Sequence, residues 1–163
     1  MRSRVASALL LLVAAVAGPV TAAAPARSLL LGAWQVDVSR LPVPEPPKSV
    51  TIAWSEAPGN RIRMTVDIVA RDGAKSHAES EFLTDGTPAR AEGSLDVDIV
   101  SMRMPNRRTL VMGAGMAGKP SNTRVFTLAD DDRHLLEVIT THDANWTPVT
   151  RVNTWTRVDG RGP

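Results

Sequence analysis

The stretch Arg61-Ile62-Arg63-Met64-Thr65-Val66-Asp67-Ile68 alternates without a break, with Ile62, Met64, Val66 and Ile68 on one side and Arg61, Arg63, Thr65 and Asp67 on the other. Successive side chains of an extended chain point to opposite faces, so this segment reads as a strand with one buried and one wet face. Ala57-Pro58-Gly59-Asn60 before it and Arg71-Asp72-Gly73 after it are turn sequences. The same period continues outward. Val50, Ile52 and Trp54 precede it, and Ala78, Ser80 and Phe82 follow it, opposed by Lys75, His77, Glu79 and Glu81. A first strand runs from Gly32 to Val38 with Trp34, Val36 and Val38 on one face. The prolines between Pro42 and Pro47 then stop any ladder, because proline has no N–H to donate.

The second half reads alike. Asp85-Gly86-Thr87-Pro88 predicts a turn, and a strand from Asp96 to Met104 starts with Val97 and Ile99 inward but continues with Val100, Met102 and Met104. That phase slip requires a bulge near Ile99 or burial of both faces. Pro105-Asn106-Arg107 turns into a strand carrying Leu110, Met112 and Ala114, and Lys119-Pro120-Ser121-Asn122 is the next expected turn. Three strands remain, Thr123 to Leu128, Leu135 to Thr141 and Val149 to Val158. The pattern predicts an all-β, antiparallel up-and-down barrel of about eight strands, since a sheet this wide hides its edges by curling until they meet.

Arg2 and Arg4 precede an apolar run from Val5 to Ala17, followed by Gly18, Pro19 and the small residues Thr21 to Ala26. This is the order of a secretory signal peptide, too short to span a bilayer comfortably as a helix. The chain therefore divides into a signal helix, 1–26, and a barrel domain, 27–163. The formal charge of +2 includes both leading arginines, and cutting after Ala26 leaves 17 basic residues against 17 acidic. That balance argues against nucleic acid as a partner. The chain has no cysteine, which excludes disulfides, thiolate metal sites, a cysteine nucleophile and a lipoprotein anchor. The expected location is periplasmic or extracellular, and the protein is not expected to be integral to a membrane.

Gly32-Ala33-Trp34-Gln35-Val36, Pro46-Pro47-Lys48-Ser49-Val50, Asp85-Gly86 with Pro88 and Gly93, Arg124 and the closing Thr154-Trp155 resemble a group of small secreted bacterial lipocalin-like proteins. These belong to the lipocalin and fatty-acid-binding-protein superfamily. The resemblance implies that Trp34 seals one end of the barrel and that an arginine of the last strand packs over its ring. Arg151 and Arg157, which share a face with Asn153 and Trp155, are the candidates.

Other constellations have plainer readings. Gly113-Ala114-Gly115-Met116-Ala117-Gly118 matches the dinucleotide fingerprint, yet that motif must open a helix, and Pro120 follows at once. His134 and His142 lie eight residues apart in one strand, about 27 Å at 3.4 Å per residue, and cannot share an ion. His77 has only Glu79 beside it on its face, so no metal site is expected. Asp96 and Asp98 are neighbours on one strand rather than carboxylates facing each other across a substrate. Asp130 to Asp132 lack the spacing of a calcium loop, and Asn145-Trp146-Thr147 is a formal sequon. No serine sits in a nucleophile elbow, and no acid–base pair stands out. No catalytic residue and no cofactor are expected.

The expected function is binding of a small apolar or amphipathic molecule inside the barrel. Trp34, Val36, Trp54, Ile62, Met64, Phe82, Met102 and Met112 are the expected ligand-binding residues. The interior also takes Val50, Ile52, Val66 and Met104, and core filling is the default for Trp34, Trp54, Trp146 and Trp155. The alternative is a filled barrel whose loops, Pro42 to Pro47 and Gly113 to Asn122, engage another envelope protein.

Overall fold

A computed structural model describes residues 28–93 and 96–158. The expected signal peptide, 1–26, lies outside the described residues. Ten strands follow in order: β1 (Gly32–Val36), β2 (Ser49–Ala57), β3 (Arg61–Val69), β4 (Lys75–Phe82), β5 (Asp85–Arg90), β6 (Ile99–Asn106), β7 (Thr109–Met116), β8 (Lys119–Leu128), β9 (His134–His142) and β10 (Pro148–Arg157). All pairings are antiparallel, in the order β4-β3-β2-β1-β10-β9-β8-β7-β6-β5. Pairing of the first strand with the last rolls the meander into a nearly closed barrel.

Among the described residues, the edges at β4 and β5 are joined by one isolated bridge. Glu79 and Glu92 exchange two backbone hydrogen bonds of 2.9 and 2.8 Å, with Glu92 just beyond the end of β5. Gly93 follows at φ +75°, and a Cβ there would lie 2.2 Å from the carbonyl oxygen of His77. Glycine is the residue that permits this approach.

The barrel class agrees with the sequence pattern; several boundaries differ. The expected turn at Asp85-Gly86-Thr87-Pro88 is strand β5, whose register against β6 shifts between Asp85 and Pro88. An edge strand tolerates this proline and a glycine at φ +96° because half its ladder has no partner. The first strand stops at Val36, where Asp37 accepts from the Ser39 amide and caps a 3-10 turn over Val38–Arg40. The expected turn at Lys119-Pro120-Ser121-Asn122 lies one step earlier, at Ala117-Gly118, both at positive φ (50° and 76°). Positive φ at both central residues suits the twist of a two-residue hairpin. Gly113 to Asn122 is therefore almost entirely strand. Near Ile99 the slip takes a definite form: Val97 packs against the core, Val100 is buried, and Ile99 faces outward at 41% exposure rather than inward.

Inward residues fill one end of the barrel. Trp34, Phe82, Met102, Phe126 and Leu135 are fully buried there. Phe126 stands edge-on to Trp54 at 5.2 Å and to Trp155 at 6.4 Å, a favoured arrangement of aromatic quadrupoles. The Trp34 indole N–H donates to the Leu30 carbonyl at 2.9 Å. Arg157 covers its ring, 4.1 Å from the centroid. Trp146 departs from the core-filling expectation: it sits at φ 61° in the β9–β10 hairpin, 57% exposed against His142.

Candidate functional site

The other half of the barrel is hollow, with a cavity of about 610 Å³. Strand alternation decides its lining. Met64 and Val66 of β3, Val100 of β6, Met112 of β7 and Ile52 of β2 supply an apolar wall. A volume of this size is in the range that holds a small organic ligand.

A polar layer divides the hollow half from the filled half. Arg124 on β8 and Arg151 on β10 both stand opposite Ile139 on β9, so the two guanidinium groups flank one inward residue. One step toward the filled end, Phe126 and Asn153 stand opposite Glu137. Glu137 has no exposed surface and accepts three hydrogen bonds: from Arg124 at 2.9 Å, Asn153 at 2.8 Å and the Trp155 indole at 3.0 Å. A buried carboxylate needs such compensation, because desolvation otherwise disfavours its charge. Arg124 is further fixed by Asn122, which accepts from its Nε at 2.9 Å.

Arg151 is different. It lines the cavity, half-buried, and its guanidinium has no hydrogen-bond or ion-pair partner among the described residues. Arg124 is paired with Glu137, which leaves Arg151 as the lining guanidinium without a partner; the carboxylates Glu79 and Asp96 also line the cavity, and Glu79 is engaged by Arg63 at 3.2 Å. The buried polar atoms without a hydrogen-bond partner include the Trp54 indole N–H and the Ser80 hydroxyl. Both belong to one row across the sheet, Trp54 opposite Met64 and Met64 opposite Ser80.

Of the eight expected ligand-binding residues, Met64 and Met112 line this cavity. Trp34, Val36, Trp54, Phe82 and Met102 are buried in the core, and Ile62 packs against it. The barrel-end cap consists of Trp34 and Arg157, whose guanidinium also donates to the carbonyls of Leu29, Leu31 and Asp132 at 2.8, 2.8 and 3.0 Å. Arg151 is not part of it. Six residues further back along β10, about 20 Å at 3.4 Å per residue, it belongs to the cavity.

Glu137, Asn153 and Asn122 escaped the sequence reading. The available signal was parity: Leu135, Glu137 and Ile139 alternate, which places a carboxylate on the apolar face of β9.

The histidines stand apart. His134 and His142 occupy opposite ends of β9. His77 is exposed, with Nδ1 2.7 Å from Asp67 on the adjacent strand, and that hydrogen bond raises its pKa. Among the described residues no three histidine, aspartate or glutamate side chains converge as a metal site. Asp98 accepts from the Ala117 amide at 2.8 Å and steadies the β7–β8 hairpin. The glycine-rich Gly113 to Gly118 is a strand end and its hairpin, not the start of a helix. Among the described residues no helix is long and apolar enough to cross a membrane.

No protein-family model matches the chain, and no curated protein matches it by sequence. Among solved structures the chain is similar to the crystal structure of a mutant of the fluorescent protein UnaG. The identity is 14%, the match covers 78% of this chain and 95% of that one, and the TM-score is 0.49.

Proposed function

We propose that the protein is an exported, non-enzymatic binding protein that holds a small amphipathic anion in the hollow half of its barrel. The observation that carries this reading is Arg151, an unpartnered guanidinium in the wall of a cavity of about 610 Å³. A half-buried guanidinium without a partner favours a ligand that brings the opposite charge. The hydrocarbon body of such a ligand would rest on Met64, Val66, Val100 and Met112. Methionine side chains adapt to irregular shapes, which suits a flexible chain. Export rests on the signal-like segment 1–26, and periplasmic or extracellular residence follows from it. The alternative, a partner-binding module, loses one of its two surfaces because Gly113 to Asn122 is strand rather than loop.

Titration with 1-anilinonaphthalene-8-sulfonate, an apolar fluorophore bearing one anion, tests the reading. Saturable binding of one probe per chain is expected, weakened about tenfold or more by Arg151→Met and by Met112→Trp, which fills the cavity. Absence of saturable binding, or binding by both variants as tight as that of the unaltered protein, would overturn it.

A further inference from the structure

We propose that the ligand carries a second polar group, a hydroxyl or carbonyl on its hydrocarbon body, and that Ser80 receives it. This rests on the reading that the cavity holds an amphipathic anion. Ser80 is 4% exposed, lies in the cavity wall, and its hydroxyl has no partner. Its surroundings offer none: Ala78 and Phe82 flank it on the inward face of β4, and Met64 stands opposite on β3. A hydroxyl buried among apolar side chains opposes folding unless something bonds to it. The group that bonds to it here comes with the ligand.

Position adds to the argument. Ser80 on β4 is four strands from Arg151 on β10, so the two polar points stand on different walls of the barrel with Met64 and Ile52 between them in strand order. A ligand anchored by its anion at Arg151 lays its body across the cavity toward Ser80. The pair thus selects an oxygenated carboxylate over a plain one. The serine hydroxyl both donates and accepts, so a ligand hydroxyl or carbonyl satisfies it equally.

The test is displacement of the same fluorophore from the full chain by dodecanoate and by its monohydroxy and mono-oxo isomers. The best oxygenated isomer should bind about five- to tenfold more tightly than dodecanoate, the worth of one buried hydrogen bond. In Ser80→Ala that ratio should fall to about one, while the melting temperature of the ligand-free protein is not lowered. Equal affinity of all isomers for the unaltered protein, or a preference that survives in Ser80→Ala, overturns the role of Ser80 and leaves anion binding intact. Failure of every carboxylate to displace the fluorophore overturns anion binding itself, and this inference with it.

Discussion

The Arg157 guanidinium carbon stands 4.1 Å from the centre of the Trp34 ring, joining the last strand to the first. The same group donates to the carbonyls of Leu29 and Leu31, which precede β1. Arg157→Ala removes the cation–π contact and leaves these carbonyls without their donor. A loss of about 2–4 kcal/mol is expected in urea unfolding. Arg157→Lys should restore only part of it, because a point charge cannot reproduce the planar fork. Arg151→Ala, in contrast, should cost almost nothing, since Arg151 takes no part in the cap.

Glu137 links three strands through Arg124, Asn153 and Trp155. Glu137→Ala strands the Arg124 guanidinium beside a cavity and leaves an indole and an amide donor unpaired. The expected cost is about 3 kcal/mol, toward the lower end of the range for broken buried pairs because Arg124 retains some exposure. Removing both charges in Glu137→Leu with Arg124→Met should recover part of the loss. A double-mutant cycle by chemical denaturation checks this.

At the seam between β4 and β5, a methyl group at position 93 cannot coexist with the His77 carbonyl 2.2 Å away. Gly93→Ala should separate the two edges locally and leave the rest of the sheet paired. Hydrogen exchange is the readout, with the amides of Glu79 and Glu92 losing protection while that of Trp155 is retained.

Asp131 has its pKa lowered from 3.8 to about 2, first by the hydrogen bond from the His134 ring and then by the amides of Arg133 and His134. Because the folded value lies below the unfolded one, the unfolded chain takes up its proton first as the pH falls. The stabilisation is complete above about pH 5 and is lost between there and about pH 2. Asp131→Asn should therefore melt below the unaltered protein at pH 6, and the two melting curves should converge near pH 2.

The sequence discloses which side chains face inward far better than it discloses which of them meet. Parity along β3 places Met64 and Val66 inside, and nothing in the fold disturbs that strand. Parity also places Arg151 and Arg157 on one face, but it carries no information about depth, so the cap and the cavity cannot be told apart from β10 alone. Depth comes from register against β1, where Trp34 stands opposite Arg157. The layer around Glu137 was hidden for the same reason: its donors come from β8 and β10, and a single strand does not reveal its neighbours' register. Strand β5 was hidden by composition, because Gly86 and Pro88 are turn formers that an edge strand accommodates.

The contacts of Arg157 with Leu29 and Leu31 bring residues 128 and 126 positions apart together, whereas among the described residues two backbone hydrogen bonds close the seam between β4 and β5. The covalent connection and the weakest join of the cylinder thus coincide. A circularly permuted chain, cut between Phe82 and Asp85 and tied from Arg157 back to Ser28, would keep all nine strand pairings and make each of them local in sequence. Loop-closure entropy would then no longer oppose the union of β1 with β10, and such a permutant should refold faster than the natural order.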